Sequence, residues 1–193
     1  MPHPDALYWD DRYTHETSRR IPRSPRHLVV AHLDLLPRNG LILDVACGTT
    51  STGRLLASRG WRVIAIDVSI AALRLAQPQV RKEALPVSMA VMDLTDPWLP
   101  REHFDVILNF YYLLRPLWKT YRAALKPGGL LFFETFLREA DMTPDHYLDP
   151  LELKIAFDDW EIIRYAEIQR SSHSPDHPDK KRRIAQLVAR KPS

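Results

Sequence analysis

The chain has 193 residues, of which 45% are hydrophobic and 26% charged, and its net charge is +3. That length suits one hydrophobic core and that balance is ordinary for a folded domain, so wholesale disorder is excluded and a single site is expected. No apolar run approaches the roughly 20 residues that span a bilayer, Met1 to Asp5 lacks the regions of a leader peptide, and the lone cysteine, Cys47, cannot pair within the chain; the expectation is a cytoplasmic protein held by packing and hydrogen bonds.

In chain order, residues 1–38 read as an N-terminal strap or lid rich in aromatic and basic residues, followed by a domain over 39–193. An amphipathic helix is expected from about Pro25 to Leu36, with Ser24 as its cap and Pro25 in the first turn, where proline is tolerated. Short apolar runs then alternate with helical patterns: strands at 41–46, 61–66, 87–92, 104–110 and 130–136, and helices at 52–58, 70–76 and 115–125. This alternation predicts a parallel sheet with crossover helices. Lys126-Pro127-Gly128-Gly129 is expected to end the last of these helices. A short helix at 151–157 precedes two further runs, 160–168 and 184–189, which predict a terminal antiparallel pair joined by a polar loop.

The string Leu41-Ile42-Leu43-Asp44-Val45-Ala46-Cys47-Gly48-Thr49-Thr50-Ser51-Thr52-Gly53 delivers an acid and a glycine from a buried strand into a turn that opens a helix. Gly48 and Gly53 fill the outer positions of a Gly-x-Gly-x-x-Gly loop, and Thr50 stands at the middle one. The second strand ends in Asp67, 19 residues after Gly48, where a carboxylate can accept both hydroxyl protons of a ribose. An N-cap duty for Asp67 is the competing reading, with Ser69 as its rival. Asp44 before the turn suits a cationic ammonium and disfavours a pyrophosphate, while Asp93 after the third strand can accept from an adenine amino group. Cys47 reads as a small residue beside the loop and not as a nucleophile, and the eight histidines show no spacing that makes a metal site.

These residues resemble the class I S-adenosylmethionine (SAM)-dependent methyltransferases in the motifs LDVACGTTSTG, VIAIDVS, VMDLTDP, FDVILNFYYLLRP and LKPGGLLFFETF. Within that class YWDDRY, NFYYLLRPLW and HYLDPLEL look like the small bacterial tellurite-resistance-type enzymes. The resemblance implies an α/β, Rossmann-like, doubly wound seven-stranded sheet of order 3-2-1-4-5-7-6 with strand 7 antiparallel. By position it implies Asp44, Ala46 and Gly48 at the methionine part of SAM, Asp67 at the ribose, Val68 and Leu94 on the adenine faces, Asp93 at the adenine amine and Asn109 at the donor's amino acid end.

Ligands of open α/β sheets bind beyond the carboxyl ends of the strands, which selects Asn109, Tyr111, Tyr112, Arg115, Glu134, Thr135 and Arg138 as acceptor-side candidates. Tyr111, Tyr112 and Arg115 are the expected acceptor-lining residues, and Tyr8, Trp9 and Tyr13 can close over the donor. For each the alternative is packing, and for Arg115 a pairing with an acid near a helix start. The expected acceptor is a small thiol, chalcogen or similar nucleophile. Six cations between Lys180 and Lys191 against Asp179 leave open an RNA or protein acceptor, although such runs are commonly solvated, and a catalytically silent SAM-binding protein is the third reading.

Overall fold

The computed structural model describes residues 4–15, 24–139, 143–171 and 181–193. The seven strands form a sheet of order β3-β2-β1-β4-β5-β7-β6, as the resemblance implied. The chain divides into two compact units, Met1–Trp98 and Leu99–Ser193.

In the first unit, helix α1 (Pro4–His15) has no buried residue, and α2 spans only His27–Val30. Strands β1 (Leu41–Val45), β2 (Arg62–Asp67) and β3 (Val87–Val91) pair in parallel. Helices α3 (Ser51–Ser58) and α4 (Ile70–Lys82) lie between them in sequence. Ile42, Leu43 and Val45 are at most 1% exposed, so the continuous apolar run of β1 reflects burial on both faces.

The expected helix from Pro25 to Leu36 is broken into α2 and a 3-10 turn at Leu33–Leu35. The cause lies at His32, whose ring Nδ1 takes the Leu28 carbonyl at 2.8 Å, the acceptor that an uninterrupted α-helix would offer to the His32 amide. That amide turns to the Val29 carbonyl instead. Ser24 is not the cap either; Arg26 precedes the helix, and its amide donates to Thr52 Oγ1 at 3.0 Å.

Helix α4 runs past the expected end at Ala76 and through Pro78. Buried Ala72, Leu73, Ala76 and Val80 share one face, and their burial outweighs the roughly 3 kcal/mol cost of an interior proline.

The second unit holds β4 (Phe104–Phe110), α5 (Leu117–Ala124), β5 (Leu125–Phe136), α6 (Glu152–Ala156), β6 (Glu161–Ser171) and β7 (Lys181–Arg190). β5 is parallel to β4, and β7 is antiparallel to both β5 and β6. β5 begins five residues before the expected Leu130, because the Lys126-Pro127-Gly128-Gly129 segment is recruited into the sheet: the Gly128 amide donates to the Lys191 carbonyl and the Lys191 amide to the Gly129 carbonyl. Gly128 permits this with φ of +74°. Lys191 Nζ then caps the end of α5, donating to the Arg122 and Leu125 carbonyls at 2.7 and 2.8 Å.

Arg122 lies 4.9 and 5.2 Å from the ring centroids of Phe157 and Trp160 and makes a bidentate pair with Asp159. The basic run is strand rather than loop, although Lys181 and Arg183 remain exposed. Lys181, Arg182 and Arg183 belong to β7, with Arg183 paired to Glu167 and Arg190 to Glu161, each at 3.1 Å. Lys180, His173 and His177 lie outside the described residues.

Candidate functional site

The first unit builds its site from the loop between β1 and α3. Ala46, Gly48 and Thr50 all adopt positive φ, which coils the loop tightly at the carboxyl end of β1. Thr50, at the middle glycine position, turns its side chain inward and is fully buried; its Oγ1 donates to Asp44 Oδ2 at 2.7 Å. A charge-assisted bond of this kind offsets the cost of a left-handed β-branched residue.

The same pair explains Gly53. A Cβ there would stand 2.3 Å from Thr50 Oγ1 and 3.1 Å from Asp44 Oδ2, so only glycine admits the hydroxyl–carboxylate contact.

Asp44 is 5% exposed, and burial raises its carboxyl to about 7, opposed by the Thr50 hydrogen bond and by the charge of Arg26. Asp67 fastens the neighbouring turn, accepting from the Gly48 amide at 2.7 Å and from the Ser69 amide at 2.8 Å. Burial raises its carboxyl too, against the pull of those amides. The N-cap of α4 is Ser69, whose Oγ accepts from the Ala72 amide. Cys47 is held as a thiol: burial first, then Asp44 and Asp67, push it well above the usual range, so it is no ready nucleophile.

Helix α1 docks on this constellation. Asp10 Oδ1 accepts from Ser69 Oγ at 2.7 Å and from the Ala71 amide at 3.0 Å. The Tyr13 hydroxyl lies 2.5 Å from where a Gly48 Cβ would project, so the absent side chain makes room for the phenol. Burial, with Asp67 and Cys47, pushes that phenol up to about 12. Tyr8 is exposed, and Trp9 rests edge-on against it. Ala46 and Val68 are half-buried, Leu94 is buried, and Asp93 accepts on Oδ1 from the Thr95 amide and hydroxyl at 2.8 and 2.7 Å.

In the second unit, Asn109 is buried and donates from Nδ2 to the Tyr121 hydroxyl at 2.8 Å, while its Oδ1 has no hydrogen-bond partner among the described residues. Burial holds the Tyr121 phenol far above its usual range, so it stays neutral. Tyr111 follows β4 with φ of +60° and packs its ring 4.9 Å from Phe136. Tyr112 is half-buried. Arg115 makes a fork to both Glu152 oxygens at 2.5 and 2.8 Å and donates to the Pro144 and Tyr147 carbonyls, so it ties the segment before α5 to the segment before α6. Thr135 is buried and Arg138 pairs with Asp149.

Asp44, Gly48 and Asp67 therefore come together, as do Tyr111 and Glu134, whereas Arg115 is occupied with Glu152. Sequence reading missed Asp10, the inward hydroxyl of Thr50, and Arg170, which reaches Glu134. Thr50 carried a usable signal, a hydroxyl six residues after an acid across a tight turn. The other two depend on tertiary pairing alone. Among the described residues no group of His, Cys, Asp and Glu can hold a metal ion, and no helix is long and apolar enough to cross a membrane.

Residues 42–129 match the family described as a methyltransferase domain. The chain is 31% identical over 121 residues to "Putative methyltransferase YqeM" of Bacillus subtilis (strain 168), covering 57% of this chain and 49% of that protein. It thus spans about half the length of the curated relatives first matched. Among solved structures it is similar to TehB from Haemophilus influenzae, with a TM-score of 0.75 at 20% identity over 85% of this chain and 61% of that one. It is similar also to phospholethanolamine N-methyltransferase 2 of Haemonchus contortus in complex with phosphomonomethylethanolamine and S-adenosylhomocysteine, with a TM-score of 0.68 at 19% identity over 88% and 54%.

Proposed function

We propose that the chain is a class I, SAM-dependent methyltransferase that transfers a methyl group in line to a small nucleophile, a thiol, chalcogen or similar acceptor, a reading supported by the methyltransferase-domain match over residues 42–129. The observation that carries this reading is the pair of buried carboxylates, Asp44 and Asp67, on either side of the Gly48 turn. An acid buried beside the turn favours a cation and repels a pyrophosphate. The residues fit the donor: Asp67 spends one lone pair of each oxygen on the Gly48 and Ser69 amides, and each oxygen keeps another for a ribose hydroxyl.

Asp44, Ala46 and Gly48 hold the methionine part, Val68 and Leu94 flank the adenine, and Asp93, oriented by Thr95, accepts from its amine. Asn109, whose Oδ1 has no partner among the described residues, is assigned to the donor's amino acid end. When bound, the donor supplies a methyl group already activated on a sulfonium, so the protein's task is positioning and exclusion of water. α1 covers the loop from one side through Tyr13. Tyr111 and Tyr112 are assigned to the acceptor side; Arg115 serves there by fixing the chain that follows them.

The RNA and protein readings gain no support from the basic segment, because Arg183, Arg190 and Lys191 are committed to Glu167, Glu161 and the end of α5. Calorimetry with S-adenosylhomocysteine tests the proposal. Asp67→Ala should weaken binding by roughly 1.5–3 kcal/mol for each charge-assisted bond lost. Parental affinity in that variant removes the ribose assignment, and tight binding of NAD with none of S-adenosylhomocysteine removes the methyl-transfer reading.

A further inference from the structure

Five cations of the first unit have no acid to answer them. Arg38, Arg59, Arg62, Arg81 and Lys82 are exposed, and their side chains make no ion pair or hydrogen bond among the described residues. In the second unit, by contrast, Arg115, Arg122, Lys126 and Arg190 each hold a carboxylate.

Topology brings the five to one edge. β1, β2 and β3 are parallel, so their first residues, Leu41, Arg62 and Val87, lie at the same end of the strands; Leu41 is the register partner of Arg62, and Val63 that of Val87. A crossover helix between parallel strands runs back against them, so its last turn returns to that end. Arg59, the C-cap of α3, and Arg81 and Lys82, in the last turn of α4, therefore stand beside the strand starts. Arg38 lies in the turn before β1, which the Gly40 amide closes on the Pro37 carbonyl, and Trp61 Nε1 donates to that same carbonyl at 2.7 Å, tying this turn to the approach to β2. Of the nearby acids, Glu83 is engaged with Gln79, and Asp34 in the 3-10 turn pairs with none of the five. The helix dipole favours cations at carboxyl ends and accounts for the placing of Arg59, Arg81 and Lys82. Arg38 and Arg62 belong to no helix, and all five keep their charged donors unspent.

We propose that this amino edge of β1, β2 and β3 is a docking surface for the phosphate backbone of single-stranded nucleic acid. Four of the five cations are arginines, whose planar fork fits phosphate oxygens in pairs. Half-buried Trp61, between Arg59 and Arg62 along the chain and pinned by its indole N–H, supplies an aromatic of the kind on which bases stack. The exposed large hydrophobic side chains all fall elsewhere in the chain, so the edge has nothing to insert into a lipid surface. Both helices meet it by their carboxyl turns, so no element projects to enter a duplex groove and read bases. The edge stands at the opposite end of β1 from the Asp44–Gly48 turn, about 15 Å along the strand. Nucleic acid docked there is held away from the donor loop, as a tether and not as the methyl acceptor, and the proposal does not depend on the methyl-transfer reading.

The test measures fluorescence anisotropy of a short labelled single-stranded RNA of mixed sequence, its DNA counterpart and the duplex over a series of salt concentrations. Both single strands should bind alike and more tightly than the duplex, with affinity falling by a logarithmic salt slope of about −0.7 for each phosphate contacted. The double variant Arg59→Gln, Arg62→Gln should bind at least tenfold more weakly and with a slope shallower by about 1.4, its Tm and its affinity for S-adenosylhomocysteine being those of the parent. Lys154→Gln, which removes an exposed cation from α6, should leave nucleic-acid affinity within twofold. Equal affinity in the parent and the double variant overturns the proposal, as does an equal loss in Lys154→Gln, which would mark a general charge effect. Binding to phosphatidylserine vesicles without binding to either single strand overturns it in favour of a membrane surface.

Discussion

Asp44→Asn is the sharpest perturbation of the donor loop, because it keeps an acceptor for the Thr50 hydroxyl while removing a charge that burial opposes. A carboxyl raised from 3.8 to about 7 makes the folded protein bind a proton more tightly than the unfolded chain does. The stability this supplies is complete below about pH 3.8 and is lost as pH rises through 7, with a full span of roughly 4 kcal/mol at about 1.36 kcal/mol per pH unit. Asp44→Asn lacks that decline, so the variant should gain on the parent between pH 4 and pH 8. At about 2–4 °C per kcal/mol for a chain of this size, the gap in Tm should widen by on the order of 10 °C. Thermal unfolding of both proteins across this range reads the effect. A second reading comes from ligand linkage: an ammonium placed beside Asp44 lowers its carboxyl, so binding of S-adenosylhomocysteine near pH 7 should release a proton. The calorimetric enthalpy should then vary with buffer ionisation enthalpy in the parent and not in Asp44→Asn. A Tm gap that stays constant with pH refutes the reasoning, since it would mean that Asp44 titrates as an exposed acid.

Gly53→Ala should cost about 1–3 kcal/mol in urea unfolding, because its Cβ meets Thr50 Oγ1 at 2.3 Å, and the cost should fall below about 1 kcal/mol in a Thr50→Gly background; equal costs in both backgrounds reject the packing account. Asp10→Ala removes the carboxylate that α1 offers to Ser69 and Ala71, so amide exchange across residues 5–15 should quicken at a stability loss of about 1–2 kcal/mol, and added SAM should slow that exchange in the parent. Exchange that ignores both the substitution and SAM would make α1 ordinary surface structure.

What the sequence made legible follows from what is local. The apolar runs at 41–46, 61–66 and 104–110 read as buried strands because no other element needs so many consecutive buried residues. Asp67 was picked out by its spacing from Gly48, and the fold brings the two together, the Gly48 amide donating to its carboxylate. Where a distant or competing group decides the outcome, the reading failed. The His32 ring takes a carbonyl from the helix it was expected to extend, and Gly128 and Gly129 become strand only because Lys191, more than sixty residues on, pairs with them. Ser24 was a plausible cap by type, yet the Arg26 amide found its partner in Thr52. Arg170 sits in no motif, and only the β6–β7 register brings it to Glu134.

The docking of Asp10 has a consequence for which nucleotides this turn can admit. The start of α4 is the place where an α/β fold would ordinarily greet a phosphate on a ribose, with free amides and the positive end of the helix dipole. Here a carboxylate from the chain's own first helix already receives the Ala71 amide and the Ser69 hydroxyl. A 2′-phosphorylated ribose held by Asp67 would confront a fixed negative charge and find those donors taken, while an unmodified ribose meets no such rival. On the proposed ribose role of Asp67, the N-terminal helix would therefore act against a phosphorylated nucleoside at this turn and leave an unmodified one unopposed.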